Sequence, residues 1–421
     1  MSFSKQLYSL YSRYSGFILF GFVCFQVYFG IIPGWTEIRS DFPNYYVSSK
    51  LIFEEKDSLH LYDNDWFQSQ IISHSIESKG KFAPFPPPTA FLLAPLSGFS
   101  PLTAKRIWLF INLGFIFLIV SFIQKISSLS YRSSWVLLLC TGVAAANTLM
   151  LGQMYFLLLL SMLWAYQLFK LNKDTKAGII IGTGIAIKYF PFVFIPSLLL
   201  ERRWKSIGII SLSILLINFL ACSIFGWRTY VDFFETVFFQ HLNGNLEGQS
   251  PWSHAFQSWN ALSYNLFRYH EIENPSPFIV SDNFFYIFKY GVQLLILSFS
   301  VWVLYRLRKS SIFFEASVIM CSLTVLYLTP AGATYHSLLL LLPISLFLSL
   351  MHSNNKAFDK TWILVIVCIT LSGVLPLLQN RIELFDKNFL FSFHRLWLLS
   401  AIYFAMSLSL LNFQKENVKS T

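Results

Sequence analysis

The sequence predicts an all-α polytopic membrane protein, and three observations carry that prediction. Of its 421 residues, 55% are hydrophobic and only 12% charged, about half the charged share of an ordinary soluble domain. Apolar runs long enough to cross a hydrocarbon layer of about 30 Å recur from end to end, among them 16–32, 107–123, 207–225 and 390–411. The basic residues gather in the short connectors between such runs. There, 17 of the 31 Lys and Arg residues stand with 5 acids, which leaves 14 basic and 16 acidic residues for all other segments. By the positive-inside rule those connectors are cytoplasmic. The net charge of +10 is thereby explained by topology, and no nucleic-acid partner is expected.

Placing every basic connector inside gives about twelve membrane elements with both termini cytoplasmic, near 16–32, 103–123, 134–150, 153–170, 176–187, 190–201, 206–226, 284–304, 311–329, 334–350, 361–378 and 390–411. The first run has no small-residue cleavage site and is followed by Pro33, Gly34 and Trp35, so it reads as a retained helix and not a removed signal. No stretch suffices for a separate soluble domain, so residues 1–421 are expected to form one membrane-embedded domain. Two outer loops, 33–102 and 227–283, are far longer than ordinary connections. Both are too rich in Trp, Phe and Tyr for disorder.

Within the first loop, Tyr45 to Phe53 has apolar residues at helical spacing and runs into Glu54, Glu55, Lys56 and Asp57. This pattern predicts an amphipathic helix lying on the outer membrane surface. The following FAPFPPPTAFLLAPL, residues 82–96, is apolar, short and proline-broken. Charge parity requires it to start and finish outside, so a re-entrant dip is expected, tolerable only where protein buries it. Residues 176–205, KAGIIIGTGIAIKYFPFVFIPSLLLERRWK, run from one basic connector to the next. They must therefore go out and return within one hairpin of two half-length helices meeting at Lys188-Tyr189-Phe190-Pro191.

Each candidate site residue has a structural and a functional reading. Asp41, ahead of Phe-Pro-Asn and a helix, has the composition of an N-cap. It also stands just beyond a spanning helix, beside Tyr45 and Tyr46, where a base could reach a lipid-carried group and a polar hydroxyl. Lys188 is a cation in an apolar hairpin, costly unless paired or hydrated, and so a functional candidate by default; the other reading is a snorkelling anchor. His336, in TPAGATYHSLLLLLP, is either a polar cap or a phosphate or sugar ligand. Gln153, in MLGQMYF, is a turn residue or a site residue. Arg39, Lys105 and Arg106 are outer-side cations that serve as interfacial anchors or phosphate ligands. In QSPWSHAFQSWNAL, residues 249–262, Trp252, His254, Gln257, Trp259 and Asn260 combine aromatic faces with amide donors, as sugar rings require. An interfacial Trp belt would look the same.

The five cysteines, Cys24, Cys140, Cys222, Cys321 and Cys368, each fall in an apolar run without CxxC spacing, so neither disulfides nor a zinc site is implied. No phosphate-binding glycine loop, HExxH or GxSxG occurs. The nearest match to a DxD metal motif is Asp63-Asn64-Asp65.

Taken in order, SDFPNYYVSSKLIFEEKDSLHLYD, FPPPTAFLLAPL, RIWLFINL, LGQMYFLLLLSMLWA, GIAIKYFPFVFIPSLLLERRW, SWNAL and YHSLLLLLP resemble glycosyltransferase family 87, within the class C glycosyltransferases that use polyprenyl-phosphate sugars. The resemblance implies that Asp41 is the catalytic base of the first outer loop and that Lys188 and His336 line the cavity. It implies mannose as the sugar, carried on polyprenyl phosphate to a glycolipid or glycan hydroxyl with inversion. On that reading the donor phosphate meets Lys188, Arg39, Lys105, Arg106 and His336, while Tyr45, Tyr46, Gln153, Trp252, His254, Gln257, Trp259 and Asn260 face sugar or acceptor. No cofactor or metal is expected. The expected location is a bacterial plasma (inner) membrane, with the active site on the outer face among membrane lipids. Two other classes remain open: a polysaccharide ligase or polymerase using a polyprenyl-pyrophosphate carrier, for which Arg228, Arg268, His241 and His254 would be the cations, and a lipid-linked sugar transporter or flippase.

Overall fold

A computed structural model describes residues 3–55, 60–242, 244, 249–353, 360–379 and 389–419. These residues are overwhelmingly helical. No β-strand occurs among them, only an isolated bridge between His270 and Asn274. Six helices are long and apolar enough to cross a membrane: Arg13–Thr36, Pro101–Ser127, Trp204–Phe225, Asp282–Leu307, Thr334–Ser353 and His394–Phe413. A seventh is reached if Tyr131–Leu139 and Val143–Met150 form one broken span. The protein is thus an all-helical polytopic membrane protein. Further expected elements, including Tyr155–Lys170, Phe313–Leu328 and Lys360–Val374, are apolar helices shorter than these. Length and composition therefore support six or seven full crossings where the charge pattern counts about twelve elements.

The chain divides into two compact units. One comprises Met1–Cys24, Ile123–Ala145 and Gln249–Thr421, and the other Phe25–Phe122 and Ala146–Gly248. In the latter, the helix Asp174–Ile187 lies along Trp204–Phe225. Gly182 permits the approach, since a Cβ there would stand 2.6 Å from Ser213 Cβ and 2.7 Å from the Ile210 carbonyl oxygen. Small residues that bring backbones together are a recurrent device for packing helices in lipid. The helix ends at Lys188, whose backbone is extended, and the chain returns through a 3₁₀ turn, Phe190–Val193, into Phe194–Leu200. Pro191 lacks the N–H an uninterrupted helix would need, so the break falls at the residues where the charge pattern places it.

The helix Phe42–Lys50 departs from expectation. Every residue from Phe42 to Ser49 is buried, so this is not the surface-lying amphipathic helix expected at 45–53. The polar positions that suggested a wet face are satisfied inside the protein. Ser49 Oγ donates to the Ala90 carbonyl at 2.5 Å, and Asn44 Oδ1 accepts from the Lys81 N–H at 2.9 Å. Short polar side chains with internal partners mimic a solvated stripe in sequence, yet are buried at little cost. The helix leads into a π-helical turn, Leu51–Glu55; Lys56 and Asp57 lie outside the described residues.

Residues 82–96, expected as a re-entrant dip, contain two 3₁₀ turns, Pro87–Phe91 and Ala94–Leu96. Phe82, Phe85, Pro87, Thr89 and Leu93 are among its buried side chains. Thr89 Oγ1 donates to the Ile187 carbonyl at 2.8 Å, pinning this segment to the end of the helix that delivers Lys188. Asp63, from the nearest match to a metal motif, caps the helix Asn64–Ser73 by accepting from the N–H groups of Asp65 and Trp66. In the other unit, Lys360–Val374 packs against the long helix His394–Lys419. Buried hydroxyl pairs join that helix to its neighbours, with Tyr327 donating to Ser400 at 2.6 Å and Ser300 within 2.5 Å of Tyr403.

Candidate active site

Asp41 occupies the position that precedes the helix Phe42–Lys50, yet its side chain makes no capping hydrogen bond. Its backbone has φ 69°, one of five non-glycine residues with positive φ among those described. Such a conformation costs roughly 1–3 kcal/mol and is held only where surrounding structure enforces it. Here the helix start, with Pro43 fixing φ at its second residue and Phe42 and Tyr45 buried, turns the half-buried acid away from its own helix's N–H groups. The structure thus removes the capping role that the local sequence offered.

The groups facing the carboxylate come from three distant segments. Gln153 accepts the Tyr45 hydroxyl proton at its Oε1, 2.6 Å away, and its amide favours the charged form of Asp41. Lys188 and Lys105 add positive potential. Burial outweighs these three effects and raises the Asp41 carboxyl above its ordinary value of 3.8.

Lys188 is 8% exposed, with its ammonium 4.5 Å from the Tyr155 ring centroid and 4.8 Å from that of Phe85. No carboxylate lies within ion-pair distance of it among the described residues. Lys105 is fully buried, donates to the Met150 carbonyl at 2.6 Å and lies over the Phe42 ring. The result is a half-buried carboxylate beside an amide and two buried lysines, within reach of their electrostatic influence and, among the described residues, without a direct ion pair. Such a group can accept a proton from a bound hydroxyl, and the cations can face an anionic leaving group.

Gly152 sets this geometry. It sits at φ 67°, its carbonyl accepts from Trp108 Nε1 at 2.9 Å, and a Cβ on it would lie 3.0 Å from Phe42 Cδ2. Only glycine adopts this backbone without a steric cost, and the turn it makes presents Gln153 to Tyr45.

Other expected site residues lie elsewhere. Arg39 is exposed, pairs with Glu37 at 2.6 Å and touches Met150 Sδ. Arg106 donates to the Trp35 carbonyl and covers that ring at 4.8 Å. The Tyr46 hydroxyl is taken by the Phe99 carbonyl at 2.7 Å. Conversely, His241 was not expected at this site. Its ring lies 6.2 Å from that of Tyr189, and burial, reinforced by the Lys188 and Lys81 charges, pushes it down to about 4. It is therefore a neutral imidazole near pH 7. Nothing in the sequence around it, FFQHLNG, distinguishes it from a loop histidine.

The remaining candidates belong to the other unit. Trp259 is enclosed by Tyr327, Trp397 and Phe288, and Trp252 by Tyr264 and His270. His254 approaches Asn265 Oδ1 at 3.3 Å and packs edge-on to Phe393, while Asn260 is buried in the helix Trp259–Phe267. These aromatic faces are packed against protein rings and are not laid out as an open platform. Gln257 and His336 do come together, lining a cavity with Arg395, a residue that the sequence does not single out.

The fold is that of an integral membrane protein, and its half-buried acid and buried lysines suit a group-transfer centre. The chain belongs to glycosyltransferase family 87, whose family model matches residues 82–330, so it is a membrane glycosyltransferase. Lys105, Gln153, Lys188 and Trp259 fall within the match; Asp41, His336 and Arg395 lie outside it. No curated protein and no solved structure shows significant similarity to the chain.

Proposed function

We propose that the protein transfers a single sugar, mannose by family likeness, from a polyprenyl-phosphate donor to a hydroxyl of a glycolipid or glycan, with inversion. The reaction takes place at the outer face of a bacterial plasma membrane, with both termini cytoplasmic. The observation that carries this reading is Asp41: an acid in a strained backbone conformation, relieved of any capping bond and held beside Gln153, Lys188 and Lys105. Asp41 removes the acceptor hydroxyl proton as that oxygen forms its bond to the anomeric carbon. The bond from that carbon to the phosphate oxygen breaks, and polyprenyl phosphate leaves with the electron pair. Lys188 faces the phosphate as its charge grows from that of a diester to that of a monoester. Tyr45 and Gln153 orient the base, and the neutral His241 is a candidate hydrogen-bond partner for donor or acceptor.

A ligase acting on a pyrophosphate carrier would need free cations of the second outer loop. Arg228 is paired with Asp232, and Arg268 with Asp282, which leaves that reading without a specific observation in its favour. The direct test is to incubate the purified protein with polyprenyl-phosphate mannose, glucose and galactose and a glycolipid acceptor, and to measure released polyprenyl phosphate. Release that requires acceptor supports the proposal. No release with any of these donors, alongside turnover of a pyrophosphate-linked sugar, overturns it.

A further inference from the structure

Arg395 is the second residue of the long helix His394–Lys419 and is 7% exposed. One of its terminal guanidinium nitrogens donates to the Ala255 carbonyl at 2.7 Å, but its Nε has no hydrogen-bond partner, and no carboxylate pairs with it among the described residues. A cation buried at the start of a membrane-spanning helix without a counter-ion costs several kcal/mol. It therefore marks a place where a negative charge belongs.

Three further observations show what kind of charge. Gln257, 5% exposed, accepts the Arg395 backbone N–H at 2.6 Å through Oε1, so its amide orientation is fixed, and its Nε2 has no partner. Both side chains line one cavity with His336, and the cavity volume of ≈ 30 Å³ for water centres is room for about two waters or two oxygens of a phosphate. The N-terminus of the helix that carries Arg395 adds the positive end of its dipole. Water could satisfy the unused donors but would leave the charge uncompensated. Much of the remaining wall is apolar, formed by Leu326, Leu340 and Ile402, which suits a hydrocarbon tail.

We propose that Arg395, Gln257 and His336 form a binding site for the phosphate of a lipid phosphate, with the tail running along Leu326, Leu340 and Ile402. Several phosphate oxygens can meet Nε, Nε2 and the imidazole from different directions, as a planar carboxylate cannot. The choice of phosphate rests on the reading of this enzyme as one that handles lipid-borne phosphate. Its residues belong to the compact unit that does not hold the Asp41 cluster. The lipid can be the phosphodiester of a glycolipid acceptor or a polyprenyl phosphate other than the donor whose phosphate Lys188 faces.

The test is binding to the full-length purified protein in detergent, read by thermal stabilisation and by titration, with three probes: a short-chain polyprenyl phosphate, phosphatidylinositol and inorganic phosphate. At least one of the two lipids should bind, and Arg395→Gln should weaken it at least tenfold, with Arg395→Lys intermediate. Should Arg395→Gln fail to fold, Gln257→Glu serves instead. It retains the oxygen that accepts the Arg395 N–H while placing a carboxylate against the guanidinium, and it should exclude the lipid phosphate from a folded protein. Unchanged lipid affinity in Arg395→Gln, or in Gln257→Glu, overturns the site. Inorganic phosphate stabilising as well as the lipids at equal concentration overturns the assignment to a lipid. Because the readout is binding, the outcome is independent of turnover: phosphatidylinositol binding lost in Arg395→Gln, in a protein that releases no polyprenyl phosphate, would keep this site and sink the donor reading.

Discussion

The Tyr45 hydroxyl donates to Gln153 Oε1 at 2.6 Å, tying together two residues 108 positions apart. With its oxygen held, the Gln153 amide is fixed beside Asp41 and favours the carboxylate, although its Nε2 makes no hydrogen bond. Tyr45→Phe removes this tether and leaves a buried amide oxygen short of one donor. The expected cost is about 1 kcal/mol of stability, with a several-fold fall in kcat at unchanged donor KM. Thermal unfolding and initial rates check both; a variant with native kcat would show that the tether does not position the base.

Asp41→Asn separates catalysis from structure. The side chain makes no capping bond to lose, and Asn tolerates positive φ about as well as Asp, so the variant is expected to fold and to bind donor. Loss of a positioned base lowers turnover by about 10²- to 10⁴-fold. Turnover within a few-fold of wild type would assign the proton transfer to another group.

Lys188→Met keeps the length of the side chain and removes the charge facing the donor phosphate. Donor affinity is expected to fall at least about tenfold, the scale of one charge-assisted hydrogen bond, while the hairpin, closed by Pro191 and the Gly182 contact, stays folded. Isothermal titration with a non-transferable donor analogue measures this. An unaltered affinity would make Lys188 an anchor and nothing more.

The pH profile follows from the same charges. Burial raises the Asp41 carboxyl above 3.8, and Lys188 opposes the rise. The base is active only when deprotonated, so the acid limb of kcat/KM is expected at higher pH than for an ordinary carboxylate. In Lys188→Met the opposing charge is gone and the limb should move higher still. A limb that stays in place, or moves to lower pH, would contradict the placement of Lys188 beside Asp41.

Gly152→Ala tests the turn that presents Gln153. A side chain at φ 67° and 3.0 Å from Phe42 Cδ2 should destabilise the protein by about 1–2 kcal/mol and lower kcat with it. Differential scanning fluorimetry and rate measurements report the two effects, and a native melting temperature would show that the backbone relaxes freely there.

Much of this protein is legible from its sequence because membranes impose rules that a linear chain must obey locally. An all-helical polytopic class follows from the apolar runs and the scarcity of charge, and the break at Lys188 follows from two basic connectors flanking a hairpin interrupted by Pro191. The ordered motifs suffice for the family. Spacing alone could not separate a solvated helix face from a buried one: Ser49 and Asn44 look like a wet stripe in NYYVSSK, and only the chain folding back at Lys81 and Ala90 supplies their partners. The role offered to Asp41 as a helix cap was equally a local inference, undone by a backbone conformation that depends on the packing of Phe42 against the Gly152 turn. Arg395 carried no signal, and His241 entered only as a cation of the pyrophosphate-carrier reading, since a lone cation or imidazole in an aromatic stretch has the same sequence whether it meets water or a cavity. What decides its role is desolvation by residues far away in the chain, and that is fixed only when the helices pack.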